Sequence, residues 1–443
     1  MSARPAWGRA HSVQESLTRP LSRDEAVAAI AQRNGASVLA RGLGRSYGDV
    51  ALNDGGAIID MTGMDRLLAF DADAGVLECE AGVSLDGLMQ WLATRPSGRN
   101  STGGYWLPPV MPGTRFVTVG GAIANDVHGK NHHAWGTFGE HVLEIELARS
   151  DGSIARLRPD DELFRATVGG MGLTGLVLGA RLQLRRVDSL WLETEHVAMV
   201  NLDAFFALSE ESSESWEYTV GWFDSLQASG RGIFTRARHA ATDRPPPRLG
   251  LPRLRVPFVP GISAVQPLTA RVFNLIYGNR FLGQSPVRRP MPIYSALFPL
   301  DAVLDWNRLY GAPGFYQYQC VVPKAAARQA SAALLQRIAA SHAGSSLTVI
   351  KTFAERRPAG LMSFACAGTT LALDFPNHGP GTLALLDTLD DVVAGAGGRV
   401  YAAKDGRVDG GRFRAGYPET DRFLRSVDPA FSSGFARRVG LAA

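Results

Sequence analysis

Three short stretches concentrate the residues whose types and spacing could do chemistry. The first is Arg41-Gly42-Leu43-Gly44-Arg45-Ser46-Tyr47-Gly48-Asp49. Its glycines let backbone approach a ligand closely, and successive N–H groups can form a nest for an anion. The spacing, Gly42-x-Gly44-x-x-x-Gly48, is not the G-x-G-x-x-G of a dinucleotide fold. A second strand rather than a helix follows it, so no helix N-terminus meets a pyrophosphate there. Alone, the loop reads equally as a tight turn and as a ligand cradle. The second stretch, residues 112–122 (PGTRFVTVGGA), and the third, residues 168–175 (VGGMGLTG), line up Gly and Thr where a flat ligand can lie against backbone. Three such loops in one half of the chain point to one extended cofactor touched at several places.

Cationic and imidazole groups come next. Of 46 Lys and Arg residues only four are lysine: Lys130, Lys324, Lys351 and Lys404. An Arg-favouring genome explains the imbalance, yet a retained lysine can mark a site needing a compact ammonium or a tunable pKa. Lys351, in LTVIKTF, alternates inward, whereas Lys130 and Lys324 read as surface residues. Lys404-Asp405 reads from its local sequence as a turn pair. His128 sits among glycines near His132 and His133, with no carboxylate or Cys spaced to complete a metal site, so none is expected. Gln317 and Gln319, two apart on one strand, share a face that suits a pocket wall or solvent. Trp222 reads as core before substrate platform.

These residues need elements to hold them. At 443 residues with 45% hydrophobic and 20% charged composition, two or three folded domains are expected, without repeats or disorder. A net charge of +4 does not argue for nucleic acid. Cys79, Cys320 and Cys366 form neither a disulfide framework nor a metal motif. No apolar stretch is long enough to span a membrane and residues 1–20 lack a signal-like core, so a cytoplasmic or peripherally membrane-bound protein is expected. Residues 21–33 predict a helix with Ser22 as N-cap and Glu25 closing a capping box. Strands follow around 37–40, in AIIDMTGM and in VLECEAGV, with a helix over 84–94 and a loop over 95–115. A hairpin turns at Asp151-Gly152. From about residue 188 strands such as WEYTVGWFD and FYQYQCVVP alternate with helices such as AAARQASAALLQRIAASH. Residues 228–293, rich in Arg and Pro, predict no regular core element. They read first as a mobile surface flap and second as a basic, apolar lid touching a lipid-linked substrate. A terminal helix is expected from Asp428 to Arg438.

Taken together, R-G-L-G-R-S-Y-G-D, P-G-T-R-x-V-T-V-G-G-A-I-A, H-G-K-N-H-H, V-G-G-x-G-L-T-G, W-F-D, Q-Y-Q, D-F-P and A-K-D, in that order, resemble the decaprenylphosphoryl-β-D-ribose 2'-oxidase family over nearly the whole chain. The resemblance implies an α+β, vanillyl-alcohol-oxidase-type flavoprotein of two domains. An FAD-binding domain would form from both chain ends (1–187 and 398–443), around a central antiparallel-sheet substrate domain (188–397). It places the FAD pyrophosphate on Arg41, Gly42, Leu43, Gly44, Arg45, Ser46 and Tyr47. Further contacts fall to Gly113, Thr118, Val119, Gly120, Gly121, Asn125, His128, Val177 and Tyr401. Related sugar-lactone oxidases carry a flavin-linked histidine where Arg45 stands, so FAD is expected to be non-covalent.

The activity implied is oxidation of a secondary alcohol, with a cation where negative charge develops and a polar group at the hydroxyl. Lys404 fits the first role, His128 and Gln319 the second. Tyr47, Trp222, Gln317, Lys351 and Asp374 are the expected substrate contacts. The family acts on a prenylphosphoryl pentose, beginning the ribose-to-arabinose epimerisation behind cell-wall arabinan, with a short-chain reductase as partner. Two departures stand out: Thr370 and Ala372 replace the Asn and Cys of actinobacterial members, and residues 96–104 look inserted. An oxidase of a soluble sugar, polyol or aldonolactone is the alternative enzyme. A flavin-binding partner protein without turnover is the alternative of another class.

Overall fold

The computed structural model describes residues 2–97, 104–242, 244–250, 254–281 and 283–442. The inserted stretch predicted near 96–104 therefore lies mostly outside the described residues.

The first part of the chain builds two larger sheets and a small three-stranded one. One has four strands in the order Ser2–Pro5, Ser12–Thr18, Ala57–Asp60, Val38–Arg41, the last three parallel. The other is antiparallel, in the order Ile154–Leu157, Val142–Ala148, Leu176–Gln183, Val76–Glu80, Leu67–Asp71. Helix Arg23–Ala31 begins as its sequence predicts, with Ser22 accepting from the Glu25 N–H. Glu25 returns its carboxylate to the Leu21 N–H (2.8 Å), one residue before the cap, so the box is displaced rather than reciprocal. Leu85–Ala93 and Val119–Ala124 pack Leu88, Leu92, Val119 and Ile123 into one core with Ile145, Leu147 and Leu178. The loop expected over 95–115 contains a strand, Gly104–Leu107, paired with Arg185–Val187. Glycine-rich sequence hid it, because Tyr105, Trp106 and Leu107 are its only bulky residues.

The second part forms an eight-stranded sheet, in the order Val287–Pro292, Trp191–Met199, Gly232–His239, Tyr218–Phe223, Thr348–Phe353, Gly368–Pro376, Phe315–Pro323, Arg399–Val400. Helices Leu202–Ser212, Ala327–Ala340 and Pro380–Gly395 cover one face through Phe205, Leu334, Leu335, Leu386 and Leu389. This corrects the reading of 228–293 as lacking regular core structure. Gly232–His239 is an interior strand, Val287–Pro292 is the edge strand, and Pro267–Asn279 is a helix. The prolines fall where they do no harm: Pro267 opens the helix, and Pro290 and Pro292 lie on the edge. The predicted terminal helix is shorter, Gly434–Val439, because Asp428 instead accepts from Ser150 and the Ala430 N–H and stabilises a turn.

Candidate active site

The sheet's uncovered face meets the glycine loops across a cavity of about 910 Å³. Register decides who faces it. Gln317 lies opposite Asp374, Gln319 opposite Ala372, and Lys351 opposite Thr370. A period of two then puts all six on one face. On the next strand Trp222 joins them, its indole N–H donating to Ser346 O (3.1 Å) and its ring edge-on to Tyr277 at 4.8 Å. Lys404 arrives differently. Tyr401 N–H bonds Gln319 O at the sheet edge, and Tyr47 N–H bonds Ala403 O in the first glycine loop. The turn between them therefore wedges Lys404 between loop and sheet, its Nζ 3.9 Å from the Tyr47 ring centroid. A Cβ on Gly48 would meet Asp405 O at 1.7 Å, so glycine is what permits this docking.

The loop itself fits an anionic, extended group. Tyr47 N–H is taken by Ala403, but those of Gly42, Leu43, Gly44, Arg45 and Ser46 meet no protein acceptor among the described residues. These residues are half-buried or exposed, and a run of five amides left open beside a cavity can receive the oxygens of a phosphate. Gly44 takes a left-handed φ of +62°, and a Cβ on Gly42 would strike Thr118 Oγ1 at 2.2 Å. Arg41 turns its guanidinium to buried Glu15 (3.2 Å) and so braces the loop from behind. Arg45 lies over Trp7 (3.9 Å) and donates to Phe116 O (3.3 Å). Of the other expected cofactor contacts, Gly113, Thr118, Gly120, Gly121, Asn125, Val177 and Tyr401 line the same cavity, whereas Val119 is buried behind it in the helix core. Thr118 caps that helix by accepting from the Gly121 N–H. Asn125 Oδ1 is buried without a partner, and the Tyr401 hydroxyl donates to Asn125 O (2.8 Å).

The catalytic candidates come together with their titration displaced. His128 Nε2 lies 2.9 Å from the Gln319 amide, and Gln319 also donates to Thr370 Oγ1 (3.3 Å). The imidazole is enclosed by Phe353, Phe364 and Tyr401, with Nδ1 buried and unpartnered. Burial, then the nearby Lys351, His132 and Lys404, hold its pKa well below the ordinary value, so it is neutral. Burial also draws Lys404 down to about 7, against the pull of Asp374. It draws Lys351 to about 7 with help from Lys130 and Lys404. Asp374 accepts from Gln317 (2.6 Å) and Tyr310 (3.4 Å), and burial lifts its carboxyl to about 7.

Lys130 corrects the surface assignment: it lines the cavity, donates to Leu297 O, and is drawn by burial to about 8. The scarcity of lysine was the signal for it. Lys324 is exposed, as expected. Sequence reasoning missed Asp301, which accepts from Thr114 Oγ1 (2.7 Å) and Arg115 N–H (2.9 Å). It pins the second glycine loop to the second part of the chain, a pairing nearly two hundred residues apart that no local pattern signals. Among the described residues no group of His, Cys, Asp and Glu is placed to hold a metal.

Comparison with known proteins agrees with this geometry. The FAD binding domain family matches residues 18–158, which include the first two glycine loops. A decaprenylphosphoryl-beta-D-ribose oxidase of Mycolicibacterium smegmatis is 37% identical over 98% of this chain and 96% of its own. An uncharacterized protein of Streptomyces coelicolor is 36% identical over 76% of this chain and 96% of its own. The L-gulono-1,4-lactone dehydrogenase of Mycobacterium tuberculosis is 26% identical over 56% of each. With FAD as its cofactor and a cavity that joins the glycine loops to a bank of half-buried lysines, the chain belongs to the decaprenylphosphoryl-β-D-ribose oxidase family of FAD-dependent oxidoreductases.

Proposed function

We propose that the protein oxidises the 2-hydroxyl of a prenylphosphoryl pentose to the 2-keto sugar, opening the epimerisation of ribose to arabinose for cell-wall arabinan. The observation that carries the reading is the convergence of Lys130, Lys351 and Lys404, three of the four lysines in the chain, on one cavity beside the glycine loops. A sugar phosphate and a reduced cofactor both need compact positive charge there. Residues 1–187 and 398–443 serve the cofactor in this reading, and residues 188–397 the substrate. The loop from Arg41 to Tyr47 holds the FAD pyrophosphate, with Gly113, Thr118, Gly120, Gly121, Asn125, Val177 and Tyr401 around the rest, and no covalent tether.

FAD, when bound, would supply the acceptor for the hydride of the carbinol carbon. Gln319 presents its amide to the reacting hydroxyl, and neutral His128 fixes that amide from behind. Asp374 favours the charged form of Lys404, which holds negative charge between loop and sheet. Lys351 lacks such a partner and is repelled by Lys130 and Lys404, so its uncharged amine is the one able to take the hydroxyl proton. Lys130 binds the phosphate, while Tyr47, Gln317 and Trp222 frame the sugar. A short-chain reductase completes the epimerisation.

The test is anaerobic flavin bleaching with prenylphosphoryl ribose beside free sugars and lactones. Bleaching by the lipid-linked sugar alone is expected. Bleaching by free sugars or lactones alone favours the second reading, a soluble-sugar oxidase, for which the likeness to the lactone dehydrogenase and the Thr370 and Ala372 replacements speak. No bleaching by any of them favours a flavin-binding partner without turnover. Flavin left in the pellet after acid precipitation contradicts non-covalent binding.

A further inference from the structure

Residues 244–300 carry eight arginines and no Asp, Glu or Lys, although the whole chain has a net charge of only +4. Within this segment helix Pro267–Asn279 touches the protein by one stripe. Ala270 and Asn274 are buried, and Tyr277 and Gly278 lean on Trp222. The opposite stripe is not polar. Leu268, Val272, Leu275 and Ile276, at i, i+4, i+7 and i+8, are 72%, 50%, 64% and 68% exposed. A soluble helix turns charge to water on that face, and an apolar outer stripe needs a second apolar phase. Phe258 and Ile262, also well exposed, lie in the same segment.

Beside this stripe, Arg280 and Arg289 have aromatic neighbours but no acidic partner among the described residues. Arg271, Arg280 and Arg289 make no ion pair among the described residues. Arg280 and Arg289 gather at one ring, with guanidinium carbons 4.6 and 5.9 Å from the Phe281 centroid. His196 stacks on the same ring at 4.7 Å, and its Nε2 is buried without a partner. His196 Nδ1 meets Thr235 Oγ1 at 2.9 Å, and in the tautomer where Nδ1 accepts from that hydroxyl, Nε2 carries the proton and can donate. Two converging guanidinium groups and an unpartnered imidazole nitrogen fit one phosphate group. His196, Arg280 and Arg289 line the same cavity as Gln319, but at its far end. The His196 strand lies five strand positions from that of Gln319, roughly 24 Å at about 4.8 Å per strand.

We propose that helix Pro267–Asn279 docks the protein on an anionic phospholipid bilayer. Leu268, Val272, Leu275 and Ile276 enter the acyl boundary, and Arg271, Arg280 and Arg289 engage headgroup phosphates. An apolar stripe flanked by arginine, in a segment without acidic residues, is the pattern of an in-plane interfacial helix. Thr269, Phe273, Tyr277 and Arg280 of this element also line the cavity, so docking sets one cavity wall against the membrane. The inference stands on the surface alone and does not depend on which sugar is oxidised.

The experiment is co-sedimentation of the FAD-loaded full chain with vesicles of phosphatidylcholine, with and without phosphatidylglycerol. Binding is expected to the phosphatidylglycerol vesicles and to weaken as salt rises. Leu275→Ser with Ile276→Ser should lower vesicle partitioning by roughly tenfold or more while flavin content stays that of the parent. Arg271→Gln with Arg289→Gln should abolish the preference for phosphatidylglycerol but keep residual binding. The proposal is overturned by equal partitioning on both vesicle types. Unchanged binding of the Leu275/Ile276 variant also overturns it, as does a parent dimer that this variant converts to monomer without any vesicle binding, since the stripe then belongs to a second copy. Inorganic phosphate that competes fully at low concentration, with no lipid-bound protein, assigns the arginines to a free anion and likewise overturns it.

Discussion

The two sides of the cavity offer a ligand opposite kinds of contact. On the glycine-loop side almost every charge already has a protein partner. Arg41 meets Glu15 at 3.2 Å, Arg115 meets Asp86 at 2.6 Å, and Arg438 meets Asp49 at 2.7 Å. What remains open is backbone, the N–H groups from Gly42 to Ser46. On the sheet side Lys351 and Lys404 have no carboxylate within ion-pairing distance among the described residues, and His128 and Asp374 are buried with displaced pKa values. The first side offers a ligand shape and fixed dipoles, which need no titration. The second keeps its charge uncommitted until a ligand arrives, which is where chemistry can be done.

The sharpest way to break this contrast is on the sheet side. Lys404→Ala should retain FAD, since the loop backbone and its Tyr47 N–H bond to Ala403 O remain, yet lower the rate of flavin bleaching by about two to three orders of magnitude. Single-turnover bleaching at full rate would remove Lys404 from the catalytic role. The converse change is Gly48→Ala on the loop side, where the new Cβ meets only backbone of Asp405 and Gly406. It should cost about 3 kcal/mol of stability and release FAD on dilution, seen as a lower melting temperature and loss of yellow colour. Retained FAD with normal melting would show that the turn can shift.

A pH series sharpens the same comparison. Lys351 and Lys404 lose their charge as pH rises through about 7, and Lys130 through about 8. Binding of an anionic sugar phosphate is therefore strongest below these values and weakens above them, roughly tenfold per charge lost. A bound anion favours the charged lysines and moves the midpoint upward. KM for a phosphorylated substrate should rise across this window while KM for a neutral sugar stays flat. Parallel curves would leave the lysines without a role in anion binding. The smallest effect is expected from Thr370→Asn with Ala372→Cys, a few-fold shift in KM among pentose substrates, because Thr370 already bonds Gln319 and Ala372 only lines the wall.

Much of this was legible in the chain. The loop spacing and the strand after it excluded the dinucleotide fold, and the period of two in Gln317 and Gln319 foretold their shared face. Residues 228–293 were misread because proline and arginine were weighed over the alternation in GIFTRARH, which forms an interior strand. Lys130 was misread because its neighbours are glycine and polar residues, and burial there comes from Leu297, far along the chain.

Local sequence by itself determined the glycine cradle, the caps and the side-chain alternation, since these depend on steric and hydrogen-bonding rules acting over a few residues. Tertiary structure alone decided which titratable groups meet. Lys404 reaches the cavity only because the 401–405 turn is clamped between Gln319 and Tyr47. Its lowered pKa, like the lowered one of Lys351 and the raised one of Asp374, arises from removal of water by segments distant in sequence. Desolvation is a property of the assembled cavity, and no residue carries it alone.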